Sequence, residues 1–414
     1  MSEKAKVKRP AKKKEKWVKV RHKVVRNVLY CLLKPYSVMK YGLKSEKFKE
    51  ENGRQYLILY NHQTPFDQFF VGMSYKSPVY YVATEDIFSM GFVSKVIKYL
   101  AAPIPIKKST ADARAVFNCI KVAKEGGSIA IAPEGNRTYS GVTGYIKPSV
   151  VSLIRVLKLP LVLHKLEGGY AAHPRWSDKV RRGGGVRSYV SRVIEYEEYS
   201  AMSDDELYSA ISEGLYVCEG SGIGSYKTKV GAEYLERAIY VCPKCGMSEF
   251  YSEGNTFKCT RCDISAEYTS DLTLKSDAPE LPFKSVHEWY GYQEDYINSL
   301  DVISMADSAL FEDKADLYEV ILYDRKRLIK KEADIRLFGD RIEISERGEN
   351  VLTLAFDDIT VAAVLGRNKL NIYHGGKVYQ LKSHERFCAL KYMNIYFRYK
   401  NQKEDNNNGR FLGI

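Results

Sequence analysis

The chain has 414 residues and is 45% hydrophobic, a length and composition sufficient for several packed cores. Its net charge of +13 is concentrated at one end, because residues 1–40 hold 14 Lys and Arg side chains against only Glu3 and Glu15. The remainder is near neutral, which excludes a folded body that is basic throughout. The basic arm is expected to bind a polyanion, either anionic lipid or nucleic acid.

The N-terminal arm divides into a tail and a helix. Residues 1–16 form a Lys-rich tail of low complexity. Residues 17–33, wound at about 100° per residue, place Trp17 and further apolar side chains opposite a basic face. This pattern favours a helix at a membrane interface or one packed on its own domain, and the two roles are compatible. No signal peptide is apparent and no apolar run reaches the roughly 18 residues of a membrane span, so we expect a cytoplasmic protein bound peripherally to the inner face of the membrane.

From residue 55, short apolar runs alternate with helical patterns. The runs that predict buried strands are Tyr56–Tyr60, Val79–Val82, Ile104–Ile106, Ser128–Ala132 and Leu161–Leu163. Helices are predicted near residues 68–75, 87–99, 110–125 and 147–158, the third capped by Ser109 or Thr110. This alternation predicts an α/β layer fold with a mostly parallel sheet, whose reactive groups lie in loops at strand ends.

The first candidate site follows the first of these strands and reads Tyr60-Asn61-His62-Gln63-Thr64-Pro65-Phe66-Asp67. Asp67 follows His62 by five positions across a turn, so its carboxylate can fold back onto the imidazole. That bond would fix the tautomer and leave the other ring nitrogen free to accept a proton. The spacing predicts His62 as a catalytic base with Asp67 as its orienting partner. The same spacing also occurs in loops with only a structural role.

The second candidate site, Ala132-Pro133-Glu134-Gly135-Asn136-Arg137-Thr138, also follows a predicted buried strand. Gly135 permits a tight backbone turn. The forked donors of Arg137 are suited to a phosphate. The alternative is a surface loop in which Glu134 and Arg137 form an ion pair.

Together the two segments resemble the 1-acylglycerol-3-phosphate acyltransferase family of phospholipid synthesis, which has a His-x-x-x-x-Asp block and a downstream Glu-Gly-x-Arg block. The matching positions are Asn61, His62, Asp67, Glu134, Gly135 and Arg137, while Asn136 and Thr138 replace the usual Thr and Ser. Lys108, preceded by Lys107, stands where the family commonly has Arg. Leu159–Val162 matches the family's Pro-containing apolar strand, and Pro174–Trp176 also resembles the family.

This resemblance implies transfer of a fatty-acyl group from a thioester, on CoA or acyl carrier protein, to the hydroxyl of 1-acylglycerol-3-phosphate, giving phosphatidic acid. His62 would deprotonate that hydroxyl and Asp67 would orient His62. Glu134 would orient Arg137 or contact the glycerol. Substrate contacts are expected from Asn61, Lys107, Lys108, Glu134, Gly135, Asn136, Arg137 and Thr138. Because Lys108 lacks the guanidinium fork, another lysolipid or hydroxyl lipid is an alternative acceptor.

Two Cys-x-x-Cys pairs follow, one at Cys242 and Cys245 and the other at Cys259 and Cys262. Two such pairs around a short hairpin resemble a zinc ribbon, and four thiolates predict one structural zinc ion. A redox pair or disulfides are the alternative. A non-enzymatic, nucleic-acid-binding zinc-ribbon protein would use the basic tail as well. It is disfavoured because residues 1–16 contain no aromatic side chain for base stacking.

The C-terminal part combines short alternating strands with one helix. The predicted strands are Tyr318–Leu322, Arg341–Ile344, Val351–Phe356, Ile359–Val364, Lys369–Ile372 and Val378–Leu381, and the helix covers residues 384–399. This pattern loosely resembles a pleckstrin-homology or GRAM-like module that docks lipid or protein, and a β domain without a ligand is the alternative. The predicted organisation is a basic tail and helix (1–45), an acyltransferase domain (46–235), a zinc ribbon (238–272), a helical connector (273–309), a β-rich domain (310–402) and a polar tail (403–414).

Overall fold

The computed structural model describes residues 16–106, 112–220, 224–404 and 410–413. Two seven-stranded sheets dominate it, and the cysteine pairs lie between them along the chain. None of the helices within the described ranges is both long enough and apolar enough to cross a membrane.

Seven strands form the first sheet. In chain order they are β1 (Lys44–Ser45), β2 (Leu57–Tyr60), β3 (Val79–Thr84), β4 (Ile104–Ile106), β5 (Ser128–Ile131), β6 (Leu161–Glu167) and β7 (Arg187–Ile194). Their spatial order is β1-β7-β6-β2-β5-β3-β4, and each neighbouring pair is parallel except β6 with β7. Leu57 and Leu59 of β2 pack into one core while Ile58 and Tyr60 pack into another, as expected for a parallel strand covered on both faces. The predicted mostly parallel α/β sheet is confirmed.

Among the described residues, eight α-helices accompany this sheet. They are α1 (Val20–Tyr41), α2 (Asp67–Gly72), α3 (Phe92–Leu100), α4 (Ala113–Lys124), α5 (Ser149–Leu157), α6 (Gly169–Ala172), α7 (Tyr196–Ser200) and α8 (Asp204–Leu215). The cap of α4 is Asp112, whose side chain accepts the backbone N–H groups of Arg114 and Ala115. The predicted cap residues, Ser109 and Thr110, lie outside the described ranges.

The N-terminal helix differs from the prediction at both ends. α1 begins at Val20 and continues through Pro35 to Tyr41, where Gly42 ends it in a left-handed conformation with φ 61°. Trp17 precedes the helix, and its indole N–H donates to the carbonyl of Ala102 at 2.7 Å. The predicted helix start at Trp17 is therefore wrong, and the side chain of Trp17 is bonded to its own domain. The membrane-interface role of the helix stays a prediction.

The cysteine pairs lie in a small β region. A two-stranded sheet is formed by β8 (Val241–Cys242) and β9 (Gly246–Met247). A four-stranded antiparallel sheet follows, made of β10 (Phe250–Glu253), β11 (Thr256–Cys259), β12 (Ser265–Tyr268) and β13 (Leu274–Lys275). Helix α9 (Val286–Ser299) packs on this region, with the indole N–H of Trp289 donating to the carbonyl of Val241 at 2.8 Å. The predicted helix within residues 273–309 is confirmed.

The second seven-stranded sheet is antiparallel throughout. Its strands are β14 (Phe311–Ile321), β15 (Arg325–Leu337), β16 (Arg341–Glu346), β17 (Glu349–Ala355), β18 (Ile359–Leu365), β19 (Lys369–His374) and β20 (Lys377–Lys382). They are ordered β17-β16-β15-β14-β20-β19-β18, and helix α10 (Ala389–Lys403) follows. Strand β15 was not predicted, because its first half is largely basic and exposed. The pleckstrin-homology or GRAM-like resemblance stays a prediction.

Candidate active site

The two predicted sites meet because β2 and β5 are parallel neighbours in the first sheet. Leu57 pairs with Ile129 in their register, so the loops that follow both strands leave the sheet at the same edge. The backbone N–H of His62 donates to Oε1 of Glu134 at 2.7 Å. In return, the N–H of Thr138 donates to the carbonyl of His62 at 3.1 Å. Two segments that are far apart in sequence thus form one site.

Asp67 holds the imidazole of His62 as predicted. Its Oδ2 lies 2.7 Å from Nδ1 of His62, and the carboxylate is fully buried. The same carboxylate accepts the backbone N–H groups of Gln63 and Thr64, at 2.6 and 2.9 Å, and the Thr64 hydroxyl at 2.6 Å. A carboxylate surrounded by donors is acceptor-only, so Nδ1 of His62 carries the hydrogen. Nε2 is then the ring nitrogen able to take up a proton.

Glu134 supports the backbone of the site. Besides the N–H of His62, it accepts the N–H of Gly144 on Oε2 at 2.6 Å. Burial raises the pKa of Glu134 to about 8, while these two N–H donors act in the opposite direction by stabilising the charged form. Because each oxygen accepts a backbone N–H, Glu134 fixes the main chain at His62. The alternative Glu134–Arg137 ion pair is wrong.

Asn61 is bonded to the strand that neighbours β2. It is buried, its Nδ2 donates to the carbonyl of Leu166 at 2.8 Å, and its Oδ1 accepts the N–H of Leu166 at 2.7 Å. Both ends of the amide are therefore used to tie the end of β2 to β6. Asn61 thus holds the sheet edge that carries His62.

Three residues of the loop after β5 shape its path. Gly135 has φ 69°, the left-handed conformation that glycine adopts without strain, as predicted for a tight turn. Nδ2 of Asn136 donates to the carbonyl of Gly413 at 3.1 Å. The hydroxyl of Thr138 accepts the N–H groups of Ser140 and Gly141, at 3.2 and 3.0 Å. The loop is thus held by local bonds and by the C-terminal end of the described chain.

Arg137 is the site's uncompensated charge. Within the described part of the chain, its guanidinium has neither a hydrogen-bond acceptor nor a carboxylate in ion-pair distance. Burial lowers the pKa of Arg137 to about 10, and the nearby charge of Arg175 adds to this effect, whereas Asp67 opposes it. Such a group is suited to an anion that arrives with its own negative charge. Lys107 and Lys108, the other predicted cations, lie outside the described residues.

A cavity of about 2100 Å³ opens at His62. His62 and Glu134 are part of its wall, whereas Arg137 is not among the residues that line it. Most of the wall is apolar and comes from α1, β3, α3, α4 and α5; it includes Leu29, Leu33, Tyr81, Ile97, Leu100, Val116, Leu153 and Val156. The imidazole therefore faces an apolar cavity of the size that accommodates large ligands.

Comparison with protein families bears directly on this site. Residues 43–163 match the family model described as acyltransferase, and this range contains both loops. These matched residues are called the acyltransferase segment below. His62, Asp67, Glu134 and Arg137 all lie inside it.

The chain is also similar to individual proteins. It is 25% identical over 162 residues to the chloroplastic 1-acyl-sn-glycerol-3-phosphate acyltransferase of Brassica napus, covering 37% of this chain and 45% of that protein. It is 22% identical over 137 residues to the 1-acyl-sn-glycerol-3-phosphate acyltransferase of Bacillus subtilis, covering 33% of this chain and 65% of that protein. The chain thus spans less than two thirds of either curated relative. The crystal structure of the 1-acyl-sn-glycerophosphate acyltransferase from Thermotoga maritima matches with a TM-score of 0.40 and 18% identity, covering 47% of this chain and 78% of that one.

The acyltransferase segment is contacted by residues that sequence analysis did not assign to the site. Arg175 is buried, and its Nη1 donates to the carbonyl of Arg137 at 2.8 Å. Tyr139 donates its hydroxyl to the carbonyl of Arg367, which lies in the second sheet, at 3.1 Å. The family-like Pro174–Trp176 was the only sequence signal for Arg175. No local pattern could reveal Arg367, because 228 positions separate it from Tyr139.

The four cysteines of the predicted zinc ribbon come together outside the acyltransferase segment. Their Sγ atoms all lie within 4.8 Å of one another, and Cys242 Sγ is 3.6 Å from Cys262 Sγ. A tetrahedral zinc ion with Zn–S bonds of about 2.3 Å separates its sulfur ligands by about 3.8 Å. The cluster therefore fits one zinc ion, and a fully ligated site has no open position for chemistry.

Proposed function

We propose that the protein transfers a fatty-acyl group from an acyl thioester, on CoA or acyl carrier protein, to the free hydroxyl of 1-acylglycerol-3-phosphate, giving phosphatidic acid. The observation that carries the proposal is the position of His62: held by Asp67, it lies in the wall of an apolar cavity, and the loop of the uncompensated Arg137 is bonded to it. The two curated relatives bear the name of this activity.

His62 acts as the general base in this proposal. Its Nε2 removes the proton of the acceptor hydroxyl as the oxygen attacks the thioester carbonyl. The new C–O bond forms, the C–S bond breaks, and the proton passes from the imidazolium to the leaving thiolate. Asp67 stabilises the imidazolium and keeps the ring in one orientation throughout. The reaction needs no covalent acyl-enzyme.

The cavity and the guanidinium of Arg137 are suited to different parts of the substrates. Fatty-acyl chains are apolar, so the cavity beside His62 is suited to them. The acceptor's phosphate is suited to Arg137, whose forked donors match phosphate oxygens and which has no competing protein carboxylate within the described residues. With its phosphate bound there, the acceptor's hydroxyl would be held near His62, and such positioning lowers the barrier to attack.

A membrane surface is the proposed location of the substrates. α1 and α3 lie side by side, because Nε of Arg21 donates to the carbonyl of Tyr99 at 3.1 Å. Both helices line the cavity with their inner sides and expose apolar side chains elsewhere, including Val20, Val24, Val28, Leu32, Phe92, Val93 and Val96. Such a patch, joined to the basic arm, is suited to an anionic bilayer.

The membrane proposal is tested by sedimentation with vesicles. Deleting residues 2–16 should weaken binding to vesicles that contain an anionic phospholipid, while activity on detergent-dispersed substrate is retained. Phe92→Ser should weaken binding further, whereas Ile303→Ser, an exposed apolar side chain outside both helices, should not. Equal binding by the full chain, the deletion and Phe92→Ser would refute the membrane surface.

Zinc is proposed for Cys242, Cys245, Cys259 and Cys262 as a structural ion that stabilises the small β region. Protein purified under reducing conditions should contain one zinc per chain by elemental analysis. Cys262→Ser should lower both the zinc content and the melting temperature, because metal binding contributes directly to folding free energy. The zinc site would be refuted if wild-type protein contained no zinc and had the same melting temperature as Cys262→Ser.

The decisive experiment for the enzyme is product identification. Purified full-length protein is incubated with acyl-CoA or acyl carrier protein thioester and a panel of acceptors: 1-acylglycerol-3-phosphate, other lysophospholipids and monoacylglycerol. Mass spectrometry should find phosphatidic acid as the main product. Transfer to another lysolipid in preference would change the acceptor assignment, and thioester hydrolysis without transfer would refute the acyltransferase.

A further inference from the structure

Arg367 lies beside the loop of Arg137 although it belongs to the second sheet. It occupies the turn between β18 and β19, and its Nη2 is 3.3 Å from Nε2 of His173. The other ring nitrogen of His173 is 3.0 Å from the hydroxyl of Tyr41. The charges of Arg367 and Arg137 both act on Tyr41 and His173, so the two guanidinium groups share one neighbourhood.

The turn that carries Arg367 is fixed on both sides of this residue. Arg175 donates from Nε to the carbonyl of Gly366 at 3.0 Å and from Nη2 to that of Val364 at 2.9 Å, while its Nη1 bonds Arg137. The carbonyl of Arg367 accepts the hydroxyl of Tyr139. Arg175 uses its donors on backbone carbonyls of both domains. It is therefore a positioning residue that locks the turn against the loop of Arg137.

The local charges do not balance. Asp178 is shared, because its Oδ1 accepts from Nη1 of Arg237 at 2.7 Å and from Nη1 of Arg367 at 2.9 Å. Asp67 is engaged by its own loop, and Arg137 has no partner in the described chain. Two guanidinium groups thus share the Asp178 carboxylate. The nearby guanidinium groups of Arg137 and Arg175 add positive charge, and neither forms an ion pair with a carboxylate in the described residues. A phosphate with two negative charges would relieve this excess, and Arg367 retains donors beyond the two bonds it makes.

We infer that Arg367 binds the phosphate of the acceptor together with Arg137, so that the C-terminal β domain supplies part of the acceptor site. This inference rests on the proposed function. The competing explanation is purely structural: Arg367 would serve only to hold Asp178 and thereby the contact between the domains.

The test compares two acceptors that differ in the phosphate. Wild-type protein and Arg367→Gln are assayed with lysophosphatidic acid and with monoacylglycerol in the same detergent and with the same acyl-CoA. The ratio of kcat/KM for the two acceptors should fall about 10- to 100-fold in Arg367→Gln, the loss expected for one charge-assisted hydrogen bond. Arg347→Gln, an exposed arginine on another turn of the same sheet, should keep the wild-type ratio.

Asp178→Asn separates the two explanations. It breaks the shared ion pair but keeps the guanidinium of Arg367, so it should leave the acceptor ratio close to that of wild type. If Asp178→Asn lowers the ratio as much as Arg367→Gln does, the structural explanation is correct and the inference fails. An unchanged ratio in Arg367→Gln, with wild-type protein active, would also overturn the inference. A wild-type protein that transfers no acyl group would instead refute the proposed function itself.

Inhibition supplies a readout that does not depend on the lipid. Glycerol 3-phosphate should compete with lysophosphatidic acid in wild-type protein and lose at least about tenfold in potency in Arg367→Gln. Inorganic phosphate tests whether the phosphate alone suffices. A variant that loses only inorganic phosphate inhibition, with its KM for lysophosphatidic acid unchanged, would show that Arg367 binds free phosphate and not the acceptor.

Discussion

The two charged sides of the site are built in opposite ways. Asp67 receives hydrogen bonds from His62, Gln63 and Thr64, all within five positions of its own chain. Arg137 has no partner in the described chain, and its surroundings come from other segments, including Arg175 and the second sheet. The carboxylate side is complete before any substrate binds, whereas the guanidinium side lacks its counter-charge.

This difference separates preorganisation from binding. A base must be in position and correctly protonated before the reaction, so a network that satisfies Asp67 costs nothing when the substrate arrives. An anion site has the opposite requirement, because a cation already neutralised by the protein would bind phosphate weakly. Holding Arg137 unpaired lowers the stability of the free protein, and such a loss is typical of functional sites.

The largest expected effect is that of His62→Ala on activity. Loss of the general base should lower kcat/KM by about 10²–10⁴-fold. Folding should persist, because the imidazole side chain is partly exposed and packs at the cavity wall. Circular dichroism and zinc content serve as controls, and His374→Ala provides a matched histidine on the second sheet. Activity within a few-fold of wild type would remove His62 from the mechanism.

Asp67→Asn should damage both the fold and the activity. An asparagine cannot accept every hydrogen bond that the carboxylate accepts, so buried N–H groups of the loop lose their acceptor. We expect the free energy of unfolding to fall by about 1–3 kcal/mol, measured by urea denaturation. Activity should fall as well, since Nδ1 of His62 loses its charged partner. A fully stable but inactive variant would contradict the structural half of this account.

His164 offers a contrast to His62 within the same sheet. It is fully buried, and burial lowers its pKa to about 3, while Tyr75 and Ser188 hold its two ring nitrogens. The unfolded chain therefore takes up the proton first as pH falls below about 6.5. Stability from neutral His164 is present above that pH and is lost progressively toward pH 3. At pH 5.5 this loss is about 1.4 kcal/mol.

His164→Gln should remove that part of the pH dependence. The unfolding free energies of wild type and variant are measured at pH 7 and pH 5.5. The quantity compared between the two proteins is the change in unfolding free energy from pH 7 to pH 5.5. This choice cancels any general loss of stability that the substitution causes. An identical change in both proteins would mean that His164 is already protonated or that it titrates normally in the folded protein.

The smallest expected effect is that of Arg137→Gln on stability. Removing an unpaired, partly buried cation should leave the unfolding free energy unchanged or raise it slightly, in contrast to Asp67→Asn. Urea denaturation without ligand provides the measurement, and Arg347→Gln is the exposed control. A loss of more than about 1 kcal/mol, the size typical of a lost hydrogen bond, would show that Arg137 has a structural partner.

The same contrast explains what the sequence could predict. His62 and Asp67 are five positions apart, so their bond follows from one turn. The proximity of His62 and Glu134 could be predicted because both residues follow strands of one parallel sheet. Asn61 and Glu134 bond to backbone groups that are distant in sequence, and no sequence pattern predicts such bonds. The substrate roles expected for these two residues did not take the bonds into account.

Two further features of the structure were not predicted from the sequence, for similar reasons. Strand β15 was missed because its exposed basic side chains hide the alternation on which strand prediction depends. Arg367 could not be found because its approach to Arg137 depends on the packing of two domains and on the clamp made by Arg175. The sequence predicted the short-range bond between His62 and Asp67, and it did not predict which charges from distant segments come together.

The central claim is that Arg137 recognises the acceptor's phosphate while His62 activates its hydroxyl. The most direct test is the acceptor preference of wild-type protein and Arg137→Gln, given as the ratio of kcat/KM for lysophosphatidic acid over monoacylglycerol. We predict a strong preference for the phosphate-bearing acceptor in wild type and its collapse, by about 10- to 100-fold, in Arg137→Gln. The same ratio in both proteins would contradict the account.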